Sequence, residues 1–237
     1  MDLGKPGGGS LAAPFDAVVF DLDGTLVDTA PDLHAHLNEL LADLGRPGLT
    51  LEELRPLIGD GARVMIRRGL EASGGMPDGA DLEALFDAFL VRYAAQPARF
   101  GAIYEGVVEV LEGLAEAGVR LGVCTNKAQL PTDRLLAELA LDRYFPVVIG
   151  GDALPVRKPH GGHLAAVLEG LGVTPERAVM VGDSENDVLA ARASGLPCVL
   201  VSFGYTRVPA AELGADRVID HMAELVPALA RLDAARA

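Results

Sequence analysis

Short apolar runs alternate with helical segments in the second half of the chain, and this alternation restricts the fold more than any other feature. After Gly101, five segments with helical periodicity are each followed by an apolar run, at residues 121–124, 147–149, 179–181, 198–201 and 218–219. Such alternation is typical of parallel strands joined by right-handed crossovers. Because the runs are apolar throughout, helices should cover both faces of the sheet. With a first apolar run at residues 15–20, the sequence predicts a doubly wound parallel α/β sheet.

A stretch with helical periodicity and no strand candidate separates the first apolar run from the others. In this stretch Pro31 stands in a first helical turn, and Thr50 with Glu53 forms a capping-box pattern that begins a second helix. We therefore expect an all-helical cap domain inserted into the α/β fold. The predicted divisions are a mobile N-terminal arm at residues 1–14, an α/β core at 15–28 and 100–237, and the helical cap at 29–99.

The charge of the chain restricts its partners. Its formal net charge is −14 at pH 7, and an acidic chain repels the phosphates of nucleic acid. An anionic small molecule then needs a strong local positive centre, for which a metal ion is one candidate. No apolar run approaches the ~18 residues of a membrane span, and the first residues do not resemble a signal peptide. We expect a cytoplasmic monomer or homodimer that acts on a small molecule and binds neither nucleic acid nor membrane.

Polar and charged residues follow several of the predicted strands. Since ligands of such sheets bind beyond the carboxyl ends of the strands, these residues should converge on one site. They are Asp21, Asp23, Thr125, Asn126, Lys158, Asp183 and Asp187. Their joint placement is more informative than any one of them alone.

The four carboxylates in this set indicate a metal site. Asp21 and Asp23 are two residues apart, so their side chains face the same side if the chain is extended there. Two carboxylates so close require a cation, or one must stay protonated. Asp183 and Asp187 can add oxygen ligands, and an oxygen-rich site with room for phosphate suits Mg²⁺. Taken singly, each pair has a plainer interpretation as a strand-ending turn or a helix cap.

These residues resemble the motifs of a known family, the haloacid dehalogenase-like hydrolase superfamily. Its four motifs are matched, in order, by Asp21 with Asp23, by Thr125, by Lys158 with Pro159, and by Asp183 with Asp187. The resemblance implies a Rossmann-like core with a helical cap inserted after the first motif. More narrowly, residues 182–191, followed by Phe203-Gly204-Tyr205, resemble bacterial phosphoglycolate phosphatases.

The resemblance also implies a reaction, the hydrolysis of a small phosphate monoester, with 2-phosphoglycolate as the first candidate. Asp21 would be the nucleophile that forms an aspartyl phosphate, and Asp23 would protonate the leaving oxygen. Mg²⁺ would be bound by the Asp21 carboxylate, the Asp23 backbone carbonyl and Asp183. Asp187 would contact these ligands rather than the metal itself. The substrate phosphate would be bound by Thr125, Asn126 and Lys158.

A turn inside the helical region is a candidate for substrate selection. Gly59 and Gly61 flank Asp60, which allows this turn to approach the core closely, and Arg63 begins the next helix. We hypothesise that Arg63 binds a carboxylate of the substrate. A capped helix with solvated arginines is the alternative interpretation.

Several alternatives remain open from the sequence. A phosphomutase of the β-phosphoglucomutase type would share the first chemical step, and a catalytically silent binding protein would share the fold. The family's third motif usually continues with spaced prolines, whereas this chain has His160-Gly161-Gly162-His163. A metal site at these two histidines would lack a third ligand nearby. Cys124 and Cys198, in apolar runs, are expected to be buried thiols.

Overall fold

A six-stranded parallel sheet forms the centre of the protein in the computed structural model, which describes residues 14–235. The strands of the chain are β1 (Ala17–Phe20), β2 (Val27–Asp28), β3 (Ala102–Ile103), β4 (Arg120–Cys124), β5 (Val147–Ile149), β6 (Ala178–Gly182), β7 (Cys198–Val201) and β8 (Arg217–Ile219). The central sheet has the order β5-β4-β1-β6-β7-β8, and all its neighbouring strands are parallel. The predicted doubly wound parallel sheet is confirmed.

Helices cover both faces of this sheet. The helices of the core are α5 (Val107–Glu116), α6 (Gln129–Glu138), α7 (Gly161–Leu171), α8 (Glu185–Ala193) and α9 (Leu225–Ala234). Val18 and Phe20 of β1 join one buried cluster with α5, α6 and α9, whereas Ala17 and Val19 join a second with α7 and α8. Successive side chains of a strand point to opposite faces, so a strand buried on both faces must be apolar throughout.

The segment between β2 and β3 contains helices only. They are α1 (Ala30–Asp43), α2 (Leu51–Leu54), α3 (Ala62–Ala72) and α4 (Leu82–Ala95), and we call residues 30–95 the helical insert. The insert has its own apolar cluster, in which Leu37, Ile66 and Phe89 are fully buried. The capping box of Thr50 and Glu53 is present at the start of α2. The helix it begins has only four residues and continues as a 3₁₀ turn, Arg55–Leu57.

Two very short strands connect the insert to the core. In β2 and β3, Val27 pairs with Ile103 and Asp28 with Ala102 in an antiparallel ladder. Asp32 strengthens this junction, because its carboxylate accepts hydrogen bonds from the backbone N–H groups of Phe100 (2.9 Å) and Gly101 (2.6 Å). This ladder was not predicted from the sequence, because strands of two residues show no periodicity.

Smaller differences concern the last third of the chain. The last of the five predicted helical segments, before the apolar run at 218–219, is only a 3₁₀ turn, Ala210–Glu212. The final helix begins at Leu225 after a second such turn, Met222–Glu224. Among the described residues, no helix combines the length and apolar character needed to cross a bilayer. All but the last residue of the predicted arm at 1–14 lies outside the described residues.

Candidate active site

Three adjacent strands end on polar residues at one edge of the sheet. Asp21 follows β1, Thr125 follows β4 and Asp183 follows β6, and β1 lies between the other two strands. Because parallel strands present their carboxyl ends at the same edge, the structure brings these three residues together. Each is buried, with no more than 6% of its surface exposed.

Three buried carboxylates form the centre of the site. Asp21, Asp183 and Asp187 each contribute an oxygen atom, and these atoms all lie within 4.8 Å of one another. Burial raises the pKa of Asp21 to about 6. Burial, together with the neighbouring carboxylate Asp187, raises the pKa of Asp183 well above its usual range. Ionised together, these groups need a cation, and an all-oxygen donor set fits Mg²⁺.

Two glycines leave space for the Asp183 carboxylate. A Cβ atom at Gly24 would lie 2.4 Å from Asp183 Oδ2, and one at Gly204 would lie 2.3 Å from the same oxygen. The backbone N–H of Tyr205 donates to that oxygen at 2.6 Å. The loops after β1 and β7 therefore form a cradle that a side chain at either glycine would fill.

Lys158 is the cation that the chain itself supplies to this centre. Its Nζ lies 3.0 Å from Asp21 Oδ1 and 2.6 Å from Asp187 Oδ1, and its side chain is 1% exposed. Burial alone would lower the pKa of Lys158, but the carboxylates of Asp187 and Asp21 outweigh burial and raise the pKa above its usual value. The ammonium group thus stays charged beside Asp21 over the whole physiological range.

Asp187 organises the turn that carries Asp183. Its Oδ2 accepts from the backbone N–H of Asp183 (3.2 Å) and from both the N–H (3.0 Å) and the hydroxyl (2.7 Å) of Ser184. These bonds form a capping box at the start of α8. Since its other oxygen binds Lys158, Asp187 fixes Asp183 and Lys158 relative to each other.

Asp23 is bound by two donors that do not belong to the carboxylate cluster. Its Oδ1 accepts from the hydroxyl of Thr29 at 2.7 Å and from Lys127 Nζ at 3.0 Å. The side chain keeps some exposure, 13%, whereas that of Lys127 is almost fully buried. The two aspartates of the first motif therefore have different surroundings, Asp21 among charges of the core and Asp23 at the junction with the insert.

Lys127 and Tyr93 are site residues that the sequence analysis did not assign. Lys127 Nζ donates to the Tyr93 hydroxyl at 2.6 Å and lies 4.2 Å from the centre of the Tyr93 ring. Burial lowers the pKa of Lys127, although Asp23 opposes this effect. The position of Lys127 directly after Thr125 and Asn126 was a usable signal. Tyr93 gave none, because an aromatic residue in a helix is usually a packing residue.

Thr125 and Asn126 hold the loop after β4. The Thr125 hydroxyl oxygen accepts from the backbone N–H of Lys127 at 3.2 Å, which leaves its proton free to donate. Asn126 Nδ2 donates to the carbonyl oxygens of Gly59 in the insert and Lys158 in the core, both at 3.0 Å. Asn126 thus ties the insert to the loop that carries Lys158.

A cavity lies between the insert and this edge of the sheet. The core contributes polar residues to its wall: Asp21, Asp23, Thr125, Asn126 and Lys127. The insert contributes mainly apolar ones: Leu33, Ile58, Met65, Phe89, Leu90 and Tyr93. A small molecule bound here would meet charges on one side and hydrocarbon on the other.

Arg63, by contrast, does not line this cavity. Its Nε and one terminal nitrogen donate to the two carboxylate oxygens of Glu83, at 2.8 and 2.7 Å. Its guanidinium also lies 4.2 Å from the centre of the Phe86 ring. The structure thus places Arg63 in an ion pair within the insert, and its predicted role in substrate binding stays a prediction.

The two histidines after Lys158 have separate structural roles. His160 caps α7, with Nδ1 accepting from the Gly162 N–H at 3.0 Å. His163 is fully buried and lies between the backbone N–H of Lys158 (3.3 Å), Cys124 Sγ (3.4 Å) and the Gly150 carbonyl (3.1 Å). His163 therefore anchors the Lys158 loop where the family's prolines are missing. Both cysteines are free and buried, as expected.

The structure defines a class of protein with a doubly wound sheet and an acidic site at one sheet edge. That edge carries paired aspartates after the first strand, a buried lysine and a second acidic pair. Residues 18–201 match the family described as haloacid dehalogenase-like hydrolase. The chain belongs to this family, which confirms the resemblance given by its motifs.

Known relatives and solved structures agree with this assignment. The chain is 44% identical over 211 residues to a phosphoglycolate phosphatase of Agrobacterium fabrum, covering 89% of this chain and 91% of the relative. It is 48% identical to that of Caulobacter vibrioides over 202 residues, 85% of each chain. A crystal structure of a predicted phosphoglycolate phosphatase from Haemophilus somnus has a TM-score of 0.86 at 30% identity, over 91% of this chain and 98% of that one. CbbY from Rhodobacter sphaeroides, in complex with phosphate, has a TM-score of 0.78 at 32% identity, over 89% and 96%.

Proposed function

We propose that the protein is a Mg²⁺-dependent phosphatase that hydrolyses 2-phosphoglycolate to glycolate and phosphate. The observation that carries the proposal is the arrangement of charged residues around Asp21. On one side lie a buried acidic cluster and Lys158; on the other lies Asp23, beside a small cavity. The relatives named phosphoglycolate phosphatase, at 44% and 48% identity over most of the chain, support the choice of substrate.

Asp21 is the proposed nucleophile. Its carboxylate attacks phosphorus, a bond from the Asp21 oxygen to phosphorus forms, and the ester bond to the leaving oxygen breaks. Lys158, 3.0 Å from Asp21, holds the carboxylate in place and neutralises charge on the phosphoryl oxygens. Thr125 has a proton available for one of those oxygens. The Asp21 and Asp183 carboxylates and the Asp23 backbone carbonyl are the residues that would hold Mg²⁺, which would supply further positive charge for the phosphoryl group.

Asp23 is the proposed acid and base. In the first step it gives its proton to the leaving oxygen, which departs as an alcohol. In the second step it takes a proton from a water molecule that attacks the phosphorus of the aspartyl phosphate. That attack releases inorganic phosphate and restores Asp21. Thr29 and Lys127 both bind Asp23 Oδ1, so they fix the orientation of the carboxyl group.

Phosphate release from 2-phosphoglycolate tests this function. Purified protein with Mg²⁺ should produce equal amounts of phosphate and glycolate, and chelation with EDTA should abolish the reaction. Identification of the products separates hydrolysis from transfer, because a phosphomutase would return the phosphoryl group to an organic acceptor. If the protein turns over none of a panel of phosphorylated metabolites, a catalytically silent binding protein is the better explanation.

A further inference from the structure

The wall of the cavity offers an anionic ligand one positively charged side chain. Among the described residues that line it, Lys127 is the only cation, and the side chains opposite are those of Leu33, Met65, Phe89 and Leu90. Lys158 is directed to Asp21 and Asp187, and Arg63 is bound by Glu83. An anionic group that enters this part of the cavity would therefore have one ammonium group to bind.

Lys127 is a buried, hydrogen-bonded lysine of the site and not a solvated lysine of the surface. Its side chain is 4% exposed, and Asp23 and Tyr93 receive two of the three protons of its ammonium group. The third proton remains available to a ligand. Buried charges in proteins are normally paired with good geometry, because an unpaired ion loses its hydration. Here the pairing spans two parts of the fold, since Tyr93 belongs to α4 of the insert and Asp23 to the core.

The position of Lys127 relative to Asp23 defines where the second anionic group must be on the substrate. Asp23 is the group proposed to protonate the ester oxygen that leaves. Because Lys127 Nζ lies 3.0 Å from the Asp23 carboxylate, it is also close to the position that we assign to the leaving oxygen and to the first carbon beyond that oxygen. A carboxylate on that carbon reaches the ammonium group, whereas one placed a methylene further away has to fold back against the apolar wall.

We propose that Lys127, held by Tyr93, is the residue that selects phosphate esters with a carboxylate on the carbon next to the ester oxygen. This inference rests on the proposed function and adds to it the recognition residue and the substrate class. The apolar side chains of the insert disfavour polyhydroxylated substrates such as sugar phosphates, whose hydroxyl groups would lose hydrogen bonds to water there.

Binding to the full-length Asp21→Asn protein tests the proposal without turnover. Calorimetry with Mg²⁺ present would compare 2-phosphoglycolate with 2-hydroxyethyl phosphate, which has a neutral group in place of the carboxylate, and with 3-phosphooxypropionate. We expect 2-phosphoglycolate to bind about 10- to 150-fold more tightly than the neutral ester, as for a charge-assisted contact. Adding Lys127→Met to this protein should reduce the ratio of the two affinities to within about threefold. In the protein that keeps Lys127, 3-phosphooxypropionate should bind with an affinity close to that of the neutral ester. If Lys127→Met fails to fold, Lys127→Gln, which can still bond Tyr93, takes its place.

A matched variant distinguishes Lys127 from the other candidate cation. Arg63→Ala in the same background should keep the preference for 2-phosphoglycolate. If Arg63→Ala removes the preference and Lys127→Met does not, the proposal is overturned. An equal loss of affinity for both esters in Lys127→Met would also overturn it, because Lys127 would then only support Asp23. Turnover of 2-hydroxyethyl phosphate by the unmodified protein, measured separately, reports on the phosphatase function and not on this proposal.

Discussion

The acidic side of the active site and its insert-facing side differ in what holds them in place. On the acidic side, Asp21, Lys158 and Asp183 lie in loops at one edge of the sheet, and Asp187 lies in the first turn of α8. Lys158 pairs with Asp21 and Asp187, and Asp187 accepts from the Asp183 backbone N–H. On the insert-facing side, Lys127 and Asp23 of the core meet Tyr93 of a segment that has its own apolar cluster. The first arrangement suits chemistry, which needs fixed distances, and the second suits selection, which depends on what the insert brings to the substrate.

The largest effect should come from the acidic side. We expect Asp21→Asn to lower kcat by roughly 10³- to 10⁶-fold, because a nucleophile cannot be replaced by the remaining binding groups. Asp16→Asn is the matched control, since Asp16 lies just before the same strand but is paired with Arg177 on the surface. Steady-state kinetics on a sample checked for deamidation by mass spectrometry would measure both. Residual activity of more than a few per cent in Asp21→Asn would assign the nucleophile elsewhere.

Asp23→Asn should have the next largest effect, roughly 10²- to 10⁴-fold on kcat, because one residue serves as acid and then as base. Both steps should slow, which quenched-flow measurements of aspartyl phosphate formation and decay can show. Thr29→Val is a milder comparison, because it removes only the 2.7 Å bond to Asp23 Oδ1 and keeps the carboxyl group. Unchanged kcat of Asp23→Asn across the pH range would exclude this role.

The two sides also differ in how far the sequence could predict them. Asp21, Thr125 and Asp183 directly follow apolar runs, and the order of parallel strands in a doubly wound sheet then places them at one edge. Lys158 was identifiable through its motif, although its ion pair with Asp187 was not, because loop geometry decides it. For these residues, the place after a predicted strand was enough to predict the place in the folded protein.

The insert-facing side had no such rule. The contact between Lys127 and Tyr93 joins residues 34 positions apart on elements that pack in separate clusters. Helical periodicity predicts that Tyr93 is buried but not what its hydroxyl binds. Arg63 shows the same difficulty. Its position at the start of a helix suggested a role in substrate binding, but the sequence did not show that Glu83, 20 residues further on, would bind it. The two-residue strands β2 and β3 were missed for a similar reason, because their pairing is non-local.

A metal titration sharpens the comparison on the acidic side. The pKa of Asp21, raised from 3.8 to about 6, contributes stability to the Mg²⁺-free protein that is fully present below about pH 4 and lost as the pH rises through 6. At the proposed site Mg²⁺ would bind the deprotonated carboxylates, so its stabilising effect should grow over the same interval. We expect the increase in Tm caused by Mg²⁺, relative to EDTA, to be larger near pH 7.5 than near pH 5, by several degrees.

Two controls accompany this titration. Asp183→Asn should remove most of the Mg²⁺-induced increase in Tm at the higher pH, because it removes the negative charge of a proposed ligand. Ca²⁺ should also stabilise the protein but should not support turnover, since its larger and looser coordination shell can take both oxygens of Asp21. An increase in Tm that is independent of pH would show that the metal binds outside the acidic cluster.

Arg63 should give the smallest effect and tests whether the insert selects the substrate through its apolar wall alone. The exposed ion pair with Glu83 contributes at most about 1 kcal/mol to the free energy of unfolding. From its position outside the cavity wall, we expect Arg63→Ala to lower kcat/KM for 2-phosphoglycolate by less than about threefold. The hypothesis drawn from the sequence gives a different value, a loss of roughly 30- to 150-fold that is confined to substrates with a carboxylate. Glu83→Gln is the informative partner variant, because it weakens the ion pair and releases Arg63 without deleting it. If Glu83→Gln increases kcat/KM for 2-phosphoglycolate and Arg63→Ala decreases it selectively, the insert contributes a charge of its own, and selection is shared between Arg63 and Lys127.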